Sequence, residues 1–180
     1  MKDDIEKVVI TEKAIRQKVL EISRRLAEDY KGKDLTLIGI LTGSLVFLSD
    51  LIRLLPFSLR LDTIDASTYG GSTFPKAETV LLSKLKVDVE GRDVVIVDDI
   101  IDTGQTLRRV VEDVRRCNPR SLKTCVLLNR PSRRSVDIEP DYCGFEVGDE
   151  FVVGYGLDYN NCYRNLPYIA VLKSECYSRR

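Results

Sequence analysis

Three aspartates and a run of small polar residues stand close together in the middle of the chain. Asp98 and Asp99 are adjacent and Asp102 follows three residues later. The next five positions are Thr103, Gly104, Gln105, Thr106 and Leu107. Carboxylates can accept hydrogen bonds from sugar hydroxyls, hold a divalent cation or take up a proton. Glycine and threonine at the start of a helix offer backbone and hydroxyl donors to a phosphate. The stretch therefore predicts a ligand with a phosphate at one end and a hydroxylated ring at the other.

The residues on either side of this stretch predict the elements that position it. Residues 94–97 are four consecutive β-branched apolar residues, which is typical of a strand buried on both faces. The acids at 98 and 99 are expected to end that strand. Apolar residues from Leu107 to Val114 recur at the spacing of one helix face. The loop then lies at the carboxyl end of a parallel strand, where open α/β sheets bind ligands.

The same residues also have an explanation without any ligand. Asp102 and Gln105 resemble a helix capping box with Asp in place of Ser or Thr. Asp98 and Asp99 could be solvated acids of a loop. Both interpretations stay open at this point.

A second turn of similar design lies earlier in the chain. Residues 35–41 form a buried-strand pattern, Thr42, Gly43 and Ser44 follow, and an apolar helix pattern then runs to Pro56. Such a turn predicts another anion-binding helix N-terminus, or alternatively a plain connection capped by Ser44. Further strands are predicted over residues 59–66, 79–85, 121–128 and 168–172, and strands with a turn over 142–147 and 151–159. The pattern favours one α/β domain over residues 1–180, with a mostly parallel twisted sheet flanked by helices.

Composition excludes several classes of function. The 28 basic residues equal the 28 acidic ones, so no positive excess favours nonspecific nucleic-acid binding. No apolar run has transmembrane length and the N-terminus does not resemble a signal peptide. The five cysteines form an odd set without a C-x-x-C motif, which indicates reduced thiols and a cytoplasmic location. Histidine is absent, which excludes Ser-His-Asp hydrolases and leaves any proton transfer to Asp, Glu, Tyr, Lys or Cys.

The stretch from Val94 to Leu107 resembles the phosphoribosyl-pyrophosphate motif of type I phosphoribosyltransferases. It has the apolar strand, two acids, two apolar residues and Asp-Thr-Gly-x-Thr. The resemblance covers nearly the whole chain and is closest to the hypoxanthine-guanine branch, through the run from Val153 to Pro167. It implies transfer of a 5-phosphoribosyl group to N9 of hypoxanthine or guanine, with Mg²⁺ as cofactor and pyrophosphate as product. It also implies a small hood from the C-terminal third, and possibly the N-terminus, that covers the purine.

The resemblance assigns roles to individual residues. Asp102 is the general acid or base at purine N7. The 5′-phosphate is held by Asp102, Thr103, Gly104, Gln105, Thr106 and Leu107. The ribose hydroxyls are bound by Asp98 and Asp99, and the pyrophosphate by Thr42, Gly43 and Arg164. The purine is contacted by Arg130, Phe151, Val152 and Asp158, of which Asp158 also holds magnesium. A flexible lid over residues 67–78 contains Thr68 and Tyr69.

Two positions depart from the pattern of the family. Arg130 stands where the family has a Lys that hydrogen-bonds purine O6, and Thr42 stands where a Lys is often found in the pyrophosphate loop. A basic cluster such as the one at 130–134 is otherwise typical of a solvated face. The preferred base among hypoxanthine, guanine and xanthine therefore stays open.

The resemblance also bears on partners. Its members are commonly homodimers or homotetramers, and neither nucleic acid nor a membrane is expected to bind. A competing hypothesis is a nucleotide-sensing or RNA-binding regulator that keeps the fold with weak or no catalysis. The presence of Asp102, Arg164 and Tyr69 favours the enzyme.

Overall fold

The computed structural model describes residues 2–67, 80–81 and 83–176. In chain order its strands and α-helices are β1 (Ile5–Ile10), α1 (Glu12–Asp29), β2 (Leu35–Leu41), α2 (Leu45–Ile52), β3 (Arg60–Ser67), β4 (Val80–Leu81), β5 (Asp93–Ile101), α3 (Gln105–Arg115), β6 (Ser121–Asn129), β7 (Tyr142–Glu146), β8 (Val152–Val153) and β9 (Ile169–Leu172). Short 3₁₀ turns lie at Lys2–Asp4, Pro131–Arg133 and Ser174–Cys176. The predicted lid residues Thr68 and Tyr69 lie outside the described residues.

The main sheet has the strand order β4-β3-β2-β5-β6-β7. All its neighbouring strands are parallel except β3 and β4, which are antiparallel. On one face Leu37 and Val95 pack with the apolar sides of α1 and α2. On the other face Ile38 and Ile96 pack with α3. This arrangement confirms the predicted α/β fold with helices on both sides of a mostly parallel sheet.

A separate antiparallel sheet, which we call the hood, has the order β1-β9-β8. The first strand of the chain pairs with the last, with Val8 opposite Ala170. Val153 of β8 pairs with the same residue from the other side. The hood therefore combines the C-terminal third with the N-terminus, as the family resemblance implied.

The central strand is longer than predicted, and the expectation that the two acids end it is wrong. β5 continues through Asp98 and Asp99 to Ile101, because β6 runs alongside it as far as Asn129. Asp98 pairs with Val126 and Ile100 with Leu128. The neighbouring strand thus satisfies the backbone groups of the acidic segment whatever its side chains are.

Two other predicted strands are shorter in the structure. In place of the strand over 79–85, the described residues contain only β4, because the following chain turns to meet side chains of β3. Asp62 accepts hydrogen bonds from the backbone N–H groups of Lys86 (2.6 Å) and Val87 (2.9 Å). In the range 151–159, predicted to contain strand and turn, the strand ends at Val153, since residues 154–156 all have positive φ, which no regular strand adopts. No helix among the described residues combines the length and the apolar character needed to cross a membrane.

Candidate active site

The carboxyl ends of β2 and β5 open into a cavity of about 390 Å³. Ten of the residues named above line it: Gly43, Asp98, Asp99, Asp102, Thr103, Gly104, Thr106, Leu107, Asp158 and Arg164. The cavity thus joins both predicted anion-binding turns with all three central acids. Thr42, Gln105, Arg130, Phe151 and Val152 are not among its lining residues.

Asp98 and Asp99 form a carboxyl pair inside the protein. Asp98 is only 7% exposed and Asp99 is half-buried, so the interpretation as solvated loop acids is wrong. Burial, together with the charge of Asp99, raises the pKa of Asp98 well above its usual range. Burial also raises the pKa of Asp99. A buried carboxyl pair of this kind is stabilised by hydrogen-bond donors such as sugar hydroxyls.

Close packing explains the glycines around this pair. A Cβ at position 43 would overlap the carboxylate of Asp99, and a Cβ at Gly156 would overlap the backbone oxygen of Gly43. The turn after β2 therefore lies directly against the acids of β5. Ser44 occupies the N-cap position of α2 without a side-chain capping bond, and its hydroxyl donates to Ile40 instead.

The segment that follows β6 donates hydrogen bonds to residues 102–107, the candidate phosphate loop. Arg134 Nε donates to the carbonyl of Asp102 (3.0 Å), and the backbone N–H of Ser135 donates to the carbonyl of Thr103 (3.0 Å). Gly104 has φ +84°, and a Cβ there would lie within 2.9 Å of Arg134, Val136 and Ile138 side-chain carbons. The loop carbonyls are bound on the far side, so the N-terminus of α3 faces the cavity as an anion site.

Asp102 is not a helix cap. The N-cap of α3 is Gly104, and Asp102 Oδ2 instead lies 3.1 Å from Arg130 Nη1. Its other oxygen, Oδ1, is buried and has no hydrogen-bond partner among the described residues. A buried carboxylate oxygen without a partner is costly unless a ligand supplies the missing donor.

Arg130 is 4% exposed, so the interpretation of this position as part of a solvated basic face is wrong. Besides Asp102, it donates from Nε to the Gly148 carbonyl and from Nη2 to the Glu150 carbonyl, both at 2.8 Å. The guanidinium therefore connects the carboxyl end of β5 to the segment that leads into Phe151.

Arg164 and Asp158 meet at the opposite wall of the cavity. Arg164 Nη2 lies 2.7 Å from Asp158 Oδ1, and its Nη1 donates to the Gly156 carbonyl (2.7 Å). Asp158 Oδ2 accepts from the backbone N–H of Asn161 (2.8 Å). The described residues hold no group of three carboxylates or thiols arranged around a metal. Mg²⁺ commonly binds proteins through one or two carboxylates plus substrate phosphates, and Asp158 beside an anion pocket fits that mode.

Two of the predicted purine residues, Phe151 and Val152, lie outside the lining of the cavity. Phe151 is 41% exposed and its ring meets Tyr159 edge to face, with centroids 5.8 Å apart. Val152 is buried in β8 of the hood, opposite Val171. A larger groove of about 780 Å³ lies between α1, α2 and residues 155–167, but of the predicted residues it contains only Arg164.

Sequence reasoning assigned no role to several residues that shape this site. Arg134 and Ser135 hold the phosphate loop, and Arg133 reaches the Asp149 carbonyl (2.7 Å). Their signal in the sequence was only a basic cluster after a strand. Gly156, with φ +105° and Gly43 against it, also received no role from the sequence.

Comparisons with known proteins agree on one family. A model described as "Phosphoribosyl transferase domain" matches residues 9–160. The hypoxanthine-guanine phosphoribosyltransferase of Bacillus subtilis is 48% identical over 177 residues, covering 98% of each chain. A hypoxanthine phosphoribosyltransferase structure from Staphylococcus aureus has a TM-score of 0.93 at 44% identity, covering 98% of this chain and 96% of the other.

One group of relatives is longer than this chain. The bifunctional protein TilS/HprT of Listeria monocytogenes is 44% identical over 178 residues. The match covers 99% of this chain but spans only 28% of the length of that relative.

Proposed function

The chain belongs to the phosphoribosyltransferase family, and from this premise we propose that it is an enzyme of purine salvage. It transfers the 5-phosphoribosyl group of phosphoribosyl pyrophosphate to N9 of hypoxanthine or guanine and releases pyrophosphate. The observation that carries the proposal is the cavity that joins the acids of β5, the N-terminus of α3, Gly43 and Arg164. The names of the full-length relatives support the purine as acceptor.

The substrate is held by groups of matching charge. The N-terminus of α3, at residues 103–107, binds the 5′-phosphate, because its N–H groups and the helix dipole favour an anion. Asp98 and Asp99 accept hydrogen bonds from the ribose hydroxyls. Gly43 and Arg164 bind the pyrophosphate, with Thr42 at the edge of the same turn. Arg164 must then exchange part of its contact with Asp158 for the phosphate oxygens.

The transfer breaks the bond between C1′ and pyrophosphate and forms the bond from C1′ to N9. Positive charge develops at C1′ as pyrophosphate departs, and the carboxylates of β5 stabilise it. Asp102 exchanges a proton at purine N7, and its buried Oδ1 is the atom available for that contact. Asp158 would help to hold Mg²⁺, which would neutralise negative charge on the leaving group.

The purine lies between the cavity and the hood. Phe151 stacks on the base, Val152 offers backbone contacts to its edge, and Arg130 directs a guanidinium hydrogen at O6 or at the carbonyls around it. We also propose a cytoplasmic homodimer or homotetramer, which light scattering of the purified protein would test.

The function is tested by incubating the protein with phosphoribosyl pyrophosphate, Mg²⁺ and one purine at a time. Chromatography should reveal IMP from hypoxanthine and GMP from guanine, with an equal amount of pyrophosphate. Adenine is the negative control, since its amino group would face a donor. A protein that binds phosphoribosyl pyrophosphate but yields no nucleotide from any 6-oxopurine would instead support the regulator.

A further inference from the structure

The segment immediately before Phe151 is bound along its whole length by two arginines. The carbonyls of Gly148, Asp149 and Glu150 accept hydrogen bonds from Arg130 Nε (2.8 Å), Arg133 Nη2 (2.7 Å) and Arg130 Nη2 (2.8 Å). Residues 148–150 belong to no helix or strand, so these side-chain bonds replace a backbone ladder.

The local fold places both arginines against residues 148–150. They flank the 3₁₀ turn Pro131–Arg133, with Arg130 at its N-cap and Arg133 as its last residue. Both side chains bind carbonyls of residues 148–150. Arg130 and Arg133 therefore act on one segment as a unit, which we call the arginine pair.

The arginine pair also meets the acid of the phosphate loop. Arg130 Nη1 lies 3.1 Å from Asp102 Oδ2, and Arg133 Nη1 lies 3.7 Å from the same oxygen. One oxygen of Asp102 is thus fixed between two guanidinium groups while Oδ1 stays without a partner among the described residues. The same two side chains therefore bind both the segment before Phe151 and Asp102, the proposed proton-transfer group.

We propose that Arg133 is a positioning residue for purine recognition, which fixes the segment before Phe151 relative to Asp102. The inference rests on the roles proposed above for Asp102 and Phe151. Arg133 itself is placed to touch neither the phosphate loop amides nor the pyrophosphate residues. Loss of the Arg133 side chain should therefore raise KM for the purine and leave KM for phosphoribosyl pyrophosphate unchanged.

The test compares Arg133→Ala, Arg133→Lys and the control Arg116→Ala, which removes an exposed guanidinium paired with Asp113 on α3. We expect Arg133→Ala to raise KM for hypoxanthine about tenfold, the equivalent of one lost hydrogen bond from a charged donor. KM for phosphoribosyl pyrophosphate should stay within twofold. Arg133→Lys should resemble Ala, because an ammonium lacks the planar fork that reaches both Asp149 and Asp102. Arg116→Ala should match the wild type.

A second readout does not depend on catalysis. Amide hydrogen exchange of peptides covering residues 147–153 should be faster in Arg133→Ala than in the wild type and the control. Equal rises in both KM values, full rescue by Lys or unchanged exchange would each overturn the proposal. Turnover by the wild-type protein tests the proposed function separately, since the comparison of exchange rates stands even if no nucleotide forms.

Discussion

Asp102 carries two oxygens in different environments. Oδ2 is fixed by Arg130, and Oδ1 is buried without a partner among the described residues. We expect Asp102→Asn to lower kcat about a hundredfold or more, the usual size of general acid–base catalysis, because the amide cannot exchange the proton at N7. Steady-state kinetics with hypoxanthine measures this. Binding of phosphoribosyl pyrophosphate should change little, and a mutant with wild-type kcat would remove Asp102 from the chemistry.

Arg130 differs from the lysine of its family in the number of atoms it can bind at once. Its three nitrogens already reach Asp102 and two carbonyls, which one ammonium cannot span in the same fork. Arg130→Lys should still keep kcat/KM for hypoxanthine within about tenfold, near 1.4 kcal/mol. Arg130→Ala should lose about 2–4 kcal/mol, because buried acceptors stay unpaired. The assay compares hypoxanthine, guanine and adenine, and equal losses for Ala and Lys would exclude base recognition by Arg130.

At the scale of elements, sequence patterns predicted those features that depend on residues close together in the chain. The strand at 35–41 has the bounds expected from its apolar run. The acids, glycine and threonines of the phosphate loop could be identified because strand, loop and helix are contiguous in sequence.

Contacts across the chain could not be predicted in this way. Arg134 binds the carbonyl of Asp102 from 32 residues away, and Arg130 is buried by a segment 18 to 20 residues later. Periodicity reports which face of an element is apolar, but it carries no information on which distant backbone a charged side chain will meet. The length of β5 was missed for the same reason, since its partner β6 determines where it ends.

Strand β5 contains two buried aspartates whose effects on stability should have opposite signs. Burial raises the pKa of Asp98, whereas the hydrogen bond from Arg120 lowers the pKa of Asp93. Unfolded aspartate ionises near pH ~4. Above that pH the unfolded state gains more from ionising Asp98 than the folded state does, so Asp98 costs stability. Asp93 contributes stability above that pH, and this contribution is lost as the pH falls through its lowered folded pKa.

We therefore expect Asp98→Asn to raise the free energy of unfolding at pH 7 by about 1 kcal/mol, because the amide carries no charge that burial would penalise. Asp93→Asn should lower it by a similar amount, since a charged hydrogen bond is lost. The difference for Asp98→Asn should shrink toward zero at pH ~4 and below. The difference for Asp93→Asn should shrink only as the pH falls further, through the lowered folded pKa of Asp93. Urea unfolding at several pH values measures them. An Asp98→Asn protein that is less stable at pH 7 would contradict the burial argument.

At the scale of the whole molecule, the proposed substrate sites are divided between the two sheets. The residues proposed for the phosphate, the ribose and the pyrophosphate surround the cavity at the edge of the main sheet. Phe151 and Val152 lie at the hood, which holds the first and last strands together. An ion pair between Lys7 of β1 and Glu150 ties the hood to the segment before Phe151. We therefore propose that the base binds where the two parts of the molecule meet.

This division predicts that phosphoribosyl pyrophosphate stabilises the free protein much more than the purine does. Its cavity already exists and contains Asp102, whose buried Oδ1 has no partner among the described residues, whereas Phe151 is 41% exposed. A ligand at 100 times its Kd adds about 2.7 kcal/mol, which is a rise in Tm of about 5–10 °C for a chain of this size. Hypoxanthine alone should shift Tm by no more than about 2 °C.

The measurement is differential scanning calorimetry, because the chain has no Trp for intrinsic fluorescence. Samples contain Mg²⁺ with phosphoribosyl pyrophosphate, with hypoxanthine or with neither. Asp102→Asn is the matched control: it should keep the full shift with phosphoribosyl pyrophosphate, because its proposed role begins only when the purine is present. If hypoxanthine alone raised Tm as much as phosphoribosyl pyrophosphate does, the purine wall would be complete before the sugar binds. The cavity at the end of β5 would then not be the first binding site.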